Sequence, residues 1–227
     1  MIDIHSHVLP EVDDGSRNIE QSLEMLKEAE RQGVTDMILT PHYRTDFLND
    51  KKFIEKKFAQ FKDIVAGHGI KISLYIGQEI FAFNDMANFL EAGKLLSLNY
   101  GKYVLVEFSL KYSMDIPEVV YMLKVRGFIP VVAHLCRYYY ADIETAREIK
   151  EVGGLIQINA GSLCGTLRLR RNVFKYIKEG LVDFVASDVH YGRENDLGKA
   201  YKVVDKKFGS VVADRLFTEN AKKILNK

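Results

Sequence analysis

Histidines and carboxylates in this chain fall where β-rich runs give out, and that placement constrains the fold more than any other feature. Asp3-Ile-His5-Ser-His7 closes the first such run, and Asp13-Asp14-Gly15 follows it. His42 comes after Met37-Ile-Leu-Thr-Pro41, Glu79 after Leu74-Tyr-Ile-Gly-Gln78, and Glu107 closes Tyr103-Val-Leu-Val106. His134 closes Ile129-Pro-Val-Val-Ala133, and Asp188-Val-His190 follows Phe184-Val-Ala-Ser187. Side chains so far apart in sequence meet only if the strands that carry them point one way and finish at one rim. A parallel barrel wrapped in helices meets that demand.

The rest of the chain agrees with such a barrel. Strands are predicted over 1–5, 36–41, 72–77, 103–108, 129–134, 155–159 and 183–187. Helices are predicted near 19–32, 50–67, 84–92, 115–126, 142–152, 170–179, 195–208 and 210–225. Asn18 with Gln21 forms a capping-box signal for the first helix, Leu23, Met25, Leu26 and Ala29 give its apolar stripe, and Gly33 ends it. Strict strand–helix alternation predicts a parallel sheet with right-handed crossovers. With no linker or composition break, residues 1–227 are expected to form one α/β domain. Seven strands imply a distorted or incomplete barrel rather than the eight-stranded form.

Bulk properties exclude several functions. The 32 basic and 31 acidic residues leave no global field for gripping nucleic acid or an anionic membrane. No apolar run approaches the roughly 18 residues that suggest a membrane span, and the N-terminus has no secretory pattern. Two cysteines, Cys136 and Cys164, are too few for a disulfide framework, so the expected location is the cytoplasm.

The clusters themselves point to metal. On an extended strand, residues i and i+2 face the same side, so His5 with His7 and Asp188 with His190 can each chelate one ion. Glu79 and Glu107 end apolar strands, where an unpaired carboxylate is costly to bury and a cation removes that cost. The candidate ligands are His5, His7, Asp14, His42, Glu79, Glu107, His134, Asp188 and His190, more than one ion needs. Imidazole and carboxylate without thiolate suit Mn²⁺, Fe²⁺ or Zn²⁺ in a catalytic site better than a closed structural zinc. Such sites serve phosphate ester hydrolysis, where they ionise water and clamp the phosphoryl oxygens. His68, beside Gly69, reads as a helix cap or surface residue.

Ile2-Asp-Ile-His-Ser-His7, Val12-Asp-Asp-Gly15, Thr40-Pro-His42, Gly77-Gln-Glu79, Val106-Glu-Phe108, Ala133-His134 with Arg137, and Ser187-Asp-Val-His190 resemble the polymerase-and-histidinol-phosphatase (PHP) family. Within it the chain looks most like the bacterial protein tyrosine phosphatases of capsule and exopolysaccharide loci, from Met1 to the C-terminal Thr218–Ile224. The resemblance implies a distorted seven-stranded (β/α) barrel of the PHP type with two or three divalent ions. Mn²⁺ is implied first, with Fe²⁺, Zn²⁺ or Mg²⁺ as alternatives. It places His5, His7, Glu79 and Asp188 on one ion, Glu79, Glu107 and His134 on a second, and Asp14, His42 and His190 on a third. It assigns Arg137, and a second arginine matching Arg193, to the phosphate. The implied substrate is a phosphotyrosine-bearing protein, such as a bacterial tyrosine autokinase governing polysaccharide export, attacked by a metal-activated hydroxide. The alternative is a small-molecule phosphatase of the same family, such as one acting on histidinol phosphate. Leu135-Cys136 departs from the acidic pair usual before the arginine, and the loop from His190 to Arg193 is shorter than usual.

A guanidinium fork suits a phosphate bidentately, which is the chemical case for Arg137 and Arg193, with Arg44 a weaker third. Of the consecutive Tyr138, Tyr139 and Tyr140, at least one must be ordinary packing. Cys164-Gly-Thr-Leu-Arg-Leu-Arg170 has the Cys-x₅-Arg spacing of thiol-based tyrosine phosphatases. Its intervening residues are mostly bulky, however, and the thiol mechanism needs a tight loop of backbone amides.

Overall fold

A computed structural model describes residues 1–226. The strands are β1 (Ile2–Asp3), β2 (Asp36–Leu39), β3 (His42–Tyr43), β4 (Ser73–Ile76), β5 (Glu79–Phe81), β6 (Tyr103–Glu107), β7 (Ile129–Val132), β8 (Leu155–Asn159) and β9 (Phe184–Ala186). All ladders between them are parallel, in the orders β1-β2-β4 and β3-β5-β6-β7-β8-β9. A parallel bridge from Ser6 to Val189 then brings the first and last strands together.

Among the described residues, the expected seven strands thus appear as nine shorter ones in two curled sheets. The extra two arise from interruptions at Thr40-Pro41 and Gly77-Gln78. Pro41 has no N–H for a ladder, although its carbonyl still accepts from Glu79 N at 3.2 Å. Gly77 lies against Leu98, where an added Cβ would come within 2.8 Å of the Leu98 side chain. Both breaks sit just before a candidate ligand, His42 and Glu79, and these two residues face each other in the β3–β5 register.

Alternation along each strand separates two cores. Met37, Leu39, Val104, Val106, Val132, Ile156 and Ile158 face outward, into the layer shared with the helices. Ile4, Ile38, Leu105, Val131 and Phe184 face inward. The inner cluster is closed at the end away from the candidate ligands by Ala221, Ile224 and Leu225 of the last helix, α10 (Asn220–Leu225). Glu107 follows Leu105 by two residues, and Gln157 follows Leu155 by two, so both inherit the inward direction at the upper end.

The outer helices are α1 (Ile19–Arg31), α2 (Lys51–Ala66), α3 (Met86–Glu91), α4 (Ile116–Val125), α5 (Ile143–Glu151), α6 (Ala160–Cys164), α7 (Leu167–Lys178), α8 (Leu197–Phe208) and α9 (Ser210–Asp214). Helix α1 starts where expected: Asn18 Oδ1 accepts from Gln21 N at 2.9 Å. Helix α7 begins three residues earlier than expected because the Thr166 hydroxyl caps it, accepting from Leu169 N at 3.4 Å. The C-terminal stretch expected as one helix is α9 and α10 joined through a π-turn at Arg215–Glu219. No helix among the described residues is long and apolar enough to cross a membrane.

Candidate metal centre

All nine candidate ligands converge on the upper rim. Their donor atoms fall into overlapping groups: His5, His7 and Asp188; His5, Glu79 and His134; His42, Glu79 and Glu107; and His7, Asp14, His42 and His190. All are buried except Asp14, whose side chain is 42% exposed, so the centre opens to solvent on the Asp14 side. His134 and Asp188 hold left-handed backbone conformations, φ 33° and φ 50°. Strain of that kind at a non-glycine residue persists where the surroundings demand a particular side-chain direction.

The tautomers decide what these side chains can bind. Gln157 Oε1 accepts from His134 N at 2.7 Å, which fixes the amide orientation, and it faces His5 Nδ1 at 3.2 Å. Asp13 Oδ2 lies 2.7 Å from His7 Nδ1, and the same carboxylate accepts from His42 N and Gly15 N. Both Nδ1 atoms therefore carry the ring proton, and each Nε2 presents a lone pair. Those two Nε2 atoms stand 3.2 Å apart and cannot hydrogen-bond each other as neutral rings. Glu79 Oε2 lies 3.2 Å and 3.3 Å from them, and Asp188 Oδ1 3.5 Å and 3.4 Å. Donors held at about 2.1 Å by one tetrahedral ion stand roughly 3.4 Å apart, so four donors already have the spacing a cation would impose.

The other donors repeat the pattern. Glu79 Oε1 lies 2.8 Å from His134 Nε2, while Glu79 Oε2 is also 2.9 Å from His42 Nδ1. Glu107 reaches His42 at 3.6 Å and His134 at 3.8 Å. His190 Nδ1 donates to the Asp188 carbonyl at 3.1 Å, which turns its Nε2 lone pair toward Asp14 Oδ1 at 3.3 Å; His42 Nε2 lies 3.5 Å from the same oxygen. Glu107 Oε2 is a buried oxygen with no hydrogen-bond partner, and Glu79 Oε2 is a buried oxygen whose near neighbours are imidazole nitrogens of the centre. Buried carboxylate oxygens so placed among imidazoles fit divalent cations, which the oxygen and imidazole donors suit.

Electrostatics favour positive charge here. Burial opposes protonation of His5, yet the Glu79 and Asp188 carboxylates outweigh it and raise its pKa to about 8, so they favour a positive charge at Nε2, whether a second ring proton or a metal ion held by the lone pair. Burial, then the neighbouring Glu79 charge, pushes Glu107 up to about 7. Asp188 is held well below the usual carboxylate range despite its burial, chiefly by His5 and His7. Burial lowers His134 and His190 and keeps them as the neutral rings a metal requires.

Arginines ring the opening. Arg137 Nη1 lies 3.3 Å from Asp188 Oδ2, and Arg193 Nη1 lies 3.3 Å from His190 Nδ1, so the short loop still brings Arg193 to the rim. The proton on His190 Nδ1 faces the Asp188 carbonyl, which leaves the Arg193 guanidinium without an acceptor there. Arg44 donates to Asp14 Oδ2 at 2.8 Å. Tyr138 is packing: it is buried and accepts from Phe108 N at 2.9 Å, whereas Tyr139 is 70% exposed. His68 caps the α2 end, its Nδ1 2.8 Å from the Ile64 carbonyl.

Gln157 and Asn159 were not expected. Asn159 Nδ2 donates to Asp188 Oδ2 at 2.6 Å, turning Oδ1 toward His5 and His7. The available signal was two amides alternating through the otherwise apolar Leu155–Asn159 run, which carries no ionisable group. Gly15 matters for a different reason: a Cβ there would sit 2.1 Å from the His7 carbonyl oxygen.

Cys164 ends α6 and Arg170 lies inside α7, so the Cys-x₅-Arg sequence forms no phosphate loop. Burial raises the Cys164 thiol and pushes Cys136 up to about 12. Replacing Cys164 with serine is expected to leave kcat for phosphotyrosyl peptide within about twofold. A loss beyond tenfold in the same steady-state assay would restore the thiol reading.

Comparison with known proteins agrees with this geometry. Residues 1–226 match the family described as capsular polysaccharide synthesis, CpsB/CapC. The chain is 34% identical over 238 residues to the tyrosine-protein phosphatase CpsB of Streptococcus agalactiae serotype V, covering 99% of this chain and 98% of that protein. It is 34% identical over 233 residues to the tyrosine-protein phosphatase YwqE of Bacillus subtilis, covering 99% and 91%. A solved structure from work on Bacillus subtilis YwqE and Streptococcus pneumoniae CpsB, described as unique metal-dependent tyrosine phosphatases, superposes with a TM-score of 0.93 at 31% identity, over 100% of this chain and 95% of that one. An organophosphorus hydrolase from Deinococcus radiodurans, at 10% identity and a TM-score of 0.63, shares the fold alone. The chain therefore belongs to the CpsB/CapC capsular polysaccharide synthesis family.

Proposed function

We propose that this protein is a metal-dependent protein tyrosine phosphatase, and that residues 1–227 work as one phosphoesterase domain. The observation that carries the reading is the pair of facing Nε2 lone pairs on His5 and His7, 3.2 Å apart within a ring of carboxylates, in a member of a family whose relatives are named tyrosine phosphatases. Counting β2 with β3 and β4 with β5 as interrupted staves turns the nine strands into the seven of a distorted PHP-type barrel.

On this reading His5, His7, Glu79 and Asp188 would hold one ion, Glu79, Glu107 and His134 a second, and Asp14, His42 and His190 a third. Two or three ions are proposed, with Mn²⁺ as the metal. Divalent cations in such a centre supply ionised water near neutral pH and neutralise phosphoryl oxygens. Asp13, Gln157 and Asn159 hold the ligands in their binding orientation, so little reorganisation is needed when substrate arrives. Arg137 and Arg193 bind the phosphoryl oxygens and stabilise the charge that spreads over them during transfer. A phenolate leaving group, with a pKa of about 10, needs less help from a general acid than an alkoxide would. The proposed substrate is phosphotyrosine on a protein, in particular a bacterial tyrosine autokinase that regulates polysaccharide export. Both cysteines are free, which accords with our placing the reaction in the cytoplasm.

The test compares a phosphotyrosyl peptide with histidinol phosphate, each with manganese and after exhaustive chelation. Manganese-dependent turnover of the peptide, at least about tenfold faster than histidinol phosphate and falling more than a hundredfold on chelation, is the expected result. Full peptide turnover in metal-free protein would sink the metal reading. Preference for histidinol phosphate would move the substrate to small molecules.

A further inference from the structure

Helix α7 carries Arg168, Arg170, Arg171, Lys175 and Lys178, and no acid within its 12 residues. Among the described residues, none of these five side chains makes an ion pair or a side-chain hydrogen bond. Several surface cations elsewhere are neutralised locally: Arg147 by Glu144 and Glu179, Arg126 by Glu91, and Lys199 by Glu194 and Asp196. Other helices carry unpaired lysines too, but interleaved with acids, as in α1, α2 and α8. In a protein of net charge +1, α7 is a concentrated patch of unmatched positive charge.

The patch begins at the rim of the metal centre. A helix that follows a barrel strand starts at the end where that strand finishes. Strand β8 finishes at Asn159, which holds Asp188, and α6 leads from there to the Thr166 cap. Cys164 Sγ, at the end of α6, lies 4.0 Å from the Asp196 carbonyl, in the loop that follows His190 and carries Arg193. The first residues of α7 thus follow directly on a segment that packs against the end of the loop carrying Arg193.

The chemistry of the patch selects a peptide over a lipid surface. A helix that lies in a bilayer needs a broad free apolar face. Here the apolar face is spent inward, on Val173, Tyr176 and Ile177. What stays exposed is Leu167, at 64%, and Leu169, at 36%, interleaved with the arginines. Cations spaced along a ridge with two apolar contacts match an extended polypeptide that carries carboxylates.

Resting on the phosphotyrosine phosphatase reading, we propose that the N-terminal half of α7 docks an acidic segment next to the phosphotyrosine of the protein substrate. Substrate carboxylates pair with Arg168, Arg170 and Arg171, Lys175 extends the track, and Leu167 and Leu169 receive an apolar side chain. This surface discriminates among phosphotyrosines by their flanking charge, and it takes no part in the chemistry.

The test uses the full chain and the variant Arg168→Gln/Arg170→Gln/Arg171→Gln/Lys175→Gln. Two phosphotyrosyl peptides are compared, identical except that one has Asp and Glu around the phosphotyrosine and the other Asn and Gln. The unmodified protein should show a KM about tenfold lower for the acidic peptide at low salt, and the gap should close to about twofold in the variant and in roughly 0.5 M salt. Both kcat and KM for 4-nitrophenyl phosphate should be the same in the two proteins. Peptides bearing a non-hydrolysable phosphonate, followed by fluorescence anisotropy, should give Kd ratios that match. Equal affinities for the two peptides in the unmodified protein, or a gap that survives in the variant, would overturn the proposal. So would loss of binding to phosphatidylglycerol vesicles in the variant without any peptide discrimination, since that assigns the patch to lipid. Failure of the enzymatic reading has its own signature: manganese-supplied protein that turns over neither peptide nor 4-nitrophenyl phosphate, with the anisotropy ratio still deciding docking.

Discussion

Glu79→Gln is expected to lower phosphotyrosyl peptide turnover by about a thousandfold or more and to reduce the manganese retained after gel filtration. No other carboxylate in the centre is placed as Glu79 is: one oxygen lies 2.8 Å from His134, and the other lies within 3.3 Å of His5, His7 and His42. Glutamine keeps the shape and removes the charge that draws cations to four imidazoles. It also places amide hydrogens or a neutral oxygen where two lone pairs converge. Since bound ligand stabilises the folded state by mass action, manganese should raise the melting temperature of the unaltered protein and do so far less for the variant. Elemental analysis and thermal denaturation, with and without metal, check both effects. Unchanged metal content together with lost turnover would move Glu79 from ligand to proton-transfer group.

Arg137→Ala should lower kcat/KM by roughly 10²- to 10³-fold, as removal of a donor aimed at developing charge commonly does. The Arg137 side chain is 39% exposed, and its contact to Asp188 Oδ2 is shared with Asn159, which already binds that oxygen at 2.6 Å. The guanidinium is therefore available to a phosphoryl group without unfastening Asp188. Arg137→Lys should recover only part of the loss, because an ammonium lacks the planar fork. The discriminating measurement is metal content: it should stay constant in both variants. If it falls in step with activity, Arg137 acts by holding Asp188 rather than by binding phosphate.

What could be read in the sequence was what has a period or an end. Inward and outward alternation fixed which face of each strand carries chemistry, and the polar residue after each apolar run marked the rim, from His5 to His190. Less legible were features that depend on long-range partners. Pro41 and Gly77 interrupt two strands, yet each break makes sense only beside its neighbour, β5 in one case and Leu98 in the other. Gln157 and Asn159 carry no charge, so nothing in their own segment announced that they would orient His5 and Asp188. Asp13 stood next to Asp14 in a run already marked as ligand-bearing, but only the fold shows that Asp13 turns inward to His7. The Cys-x₅-Arg spacing drew attention to Cys164 and away from Thr166, the residue that begins the helix there.

Helix α10 seals the far end of the inner cluster with Ala221, Ile224 and Leu225, each no more than 6% exposed. The vessel has a floor, and its donors open toward Asp14. If Arg137 and Arg193 hold the phosphoryl group as proposed, the inorganic phosphate leaving one turnover and the ester arriving for the next would compete for the same guanidinium groups.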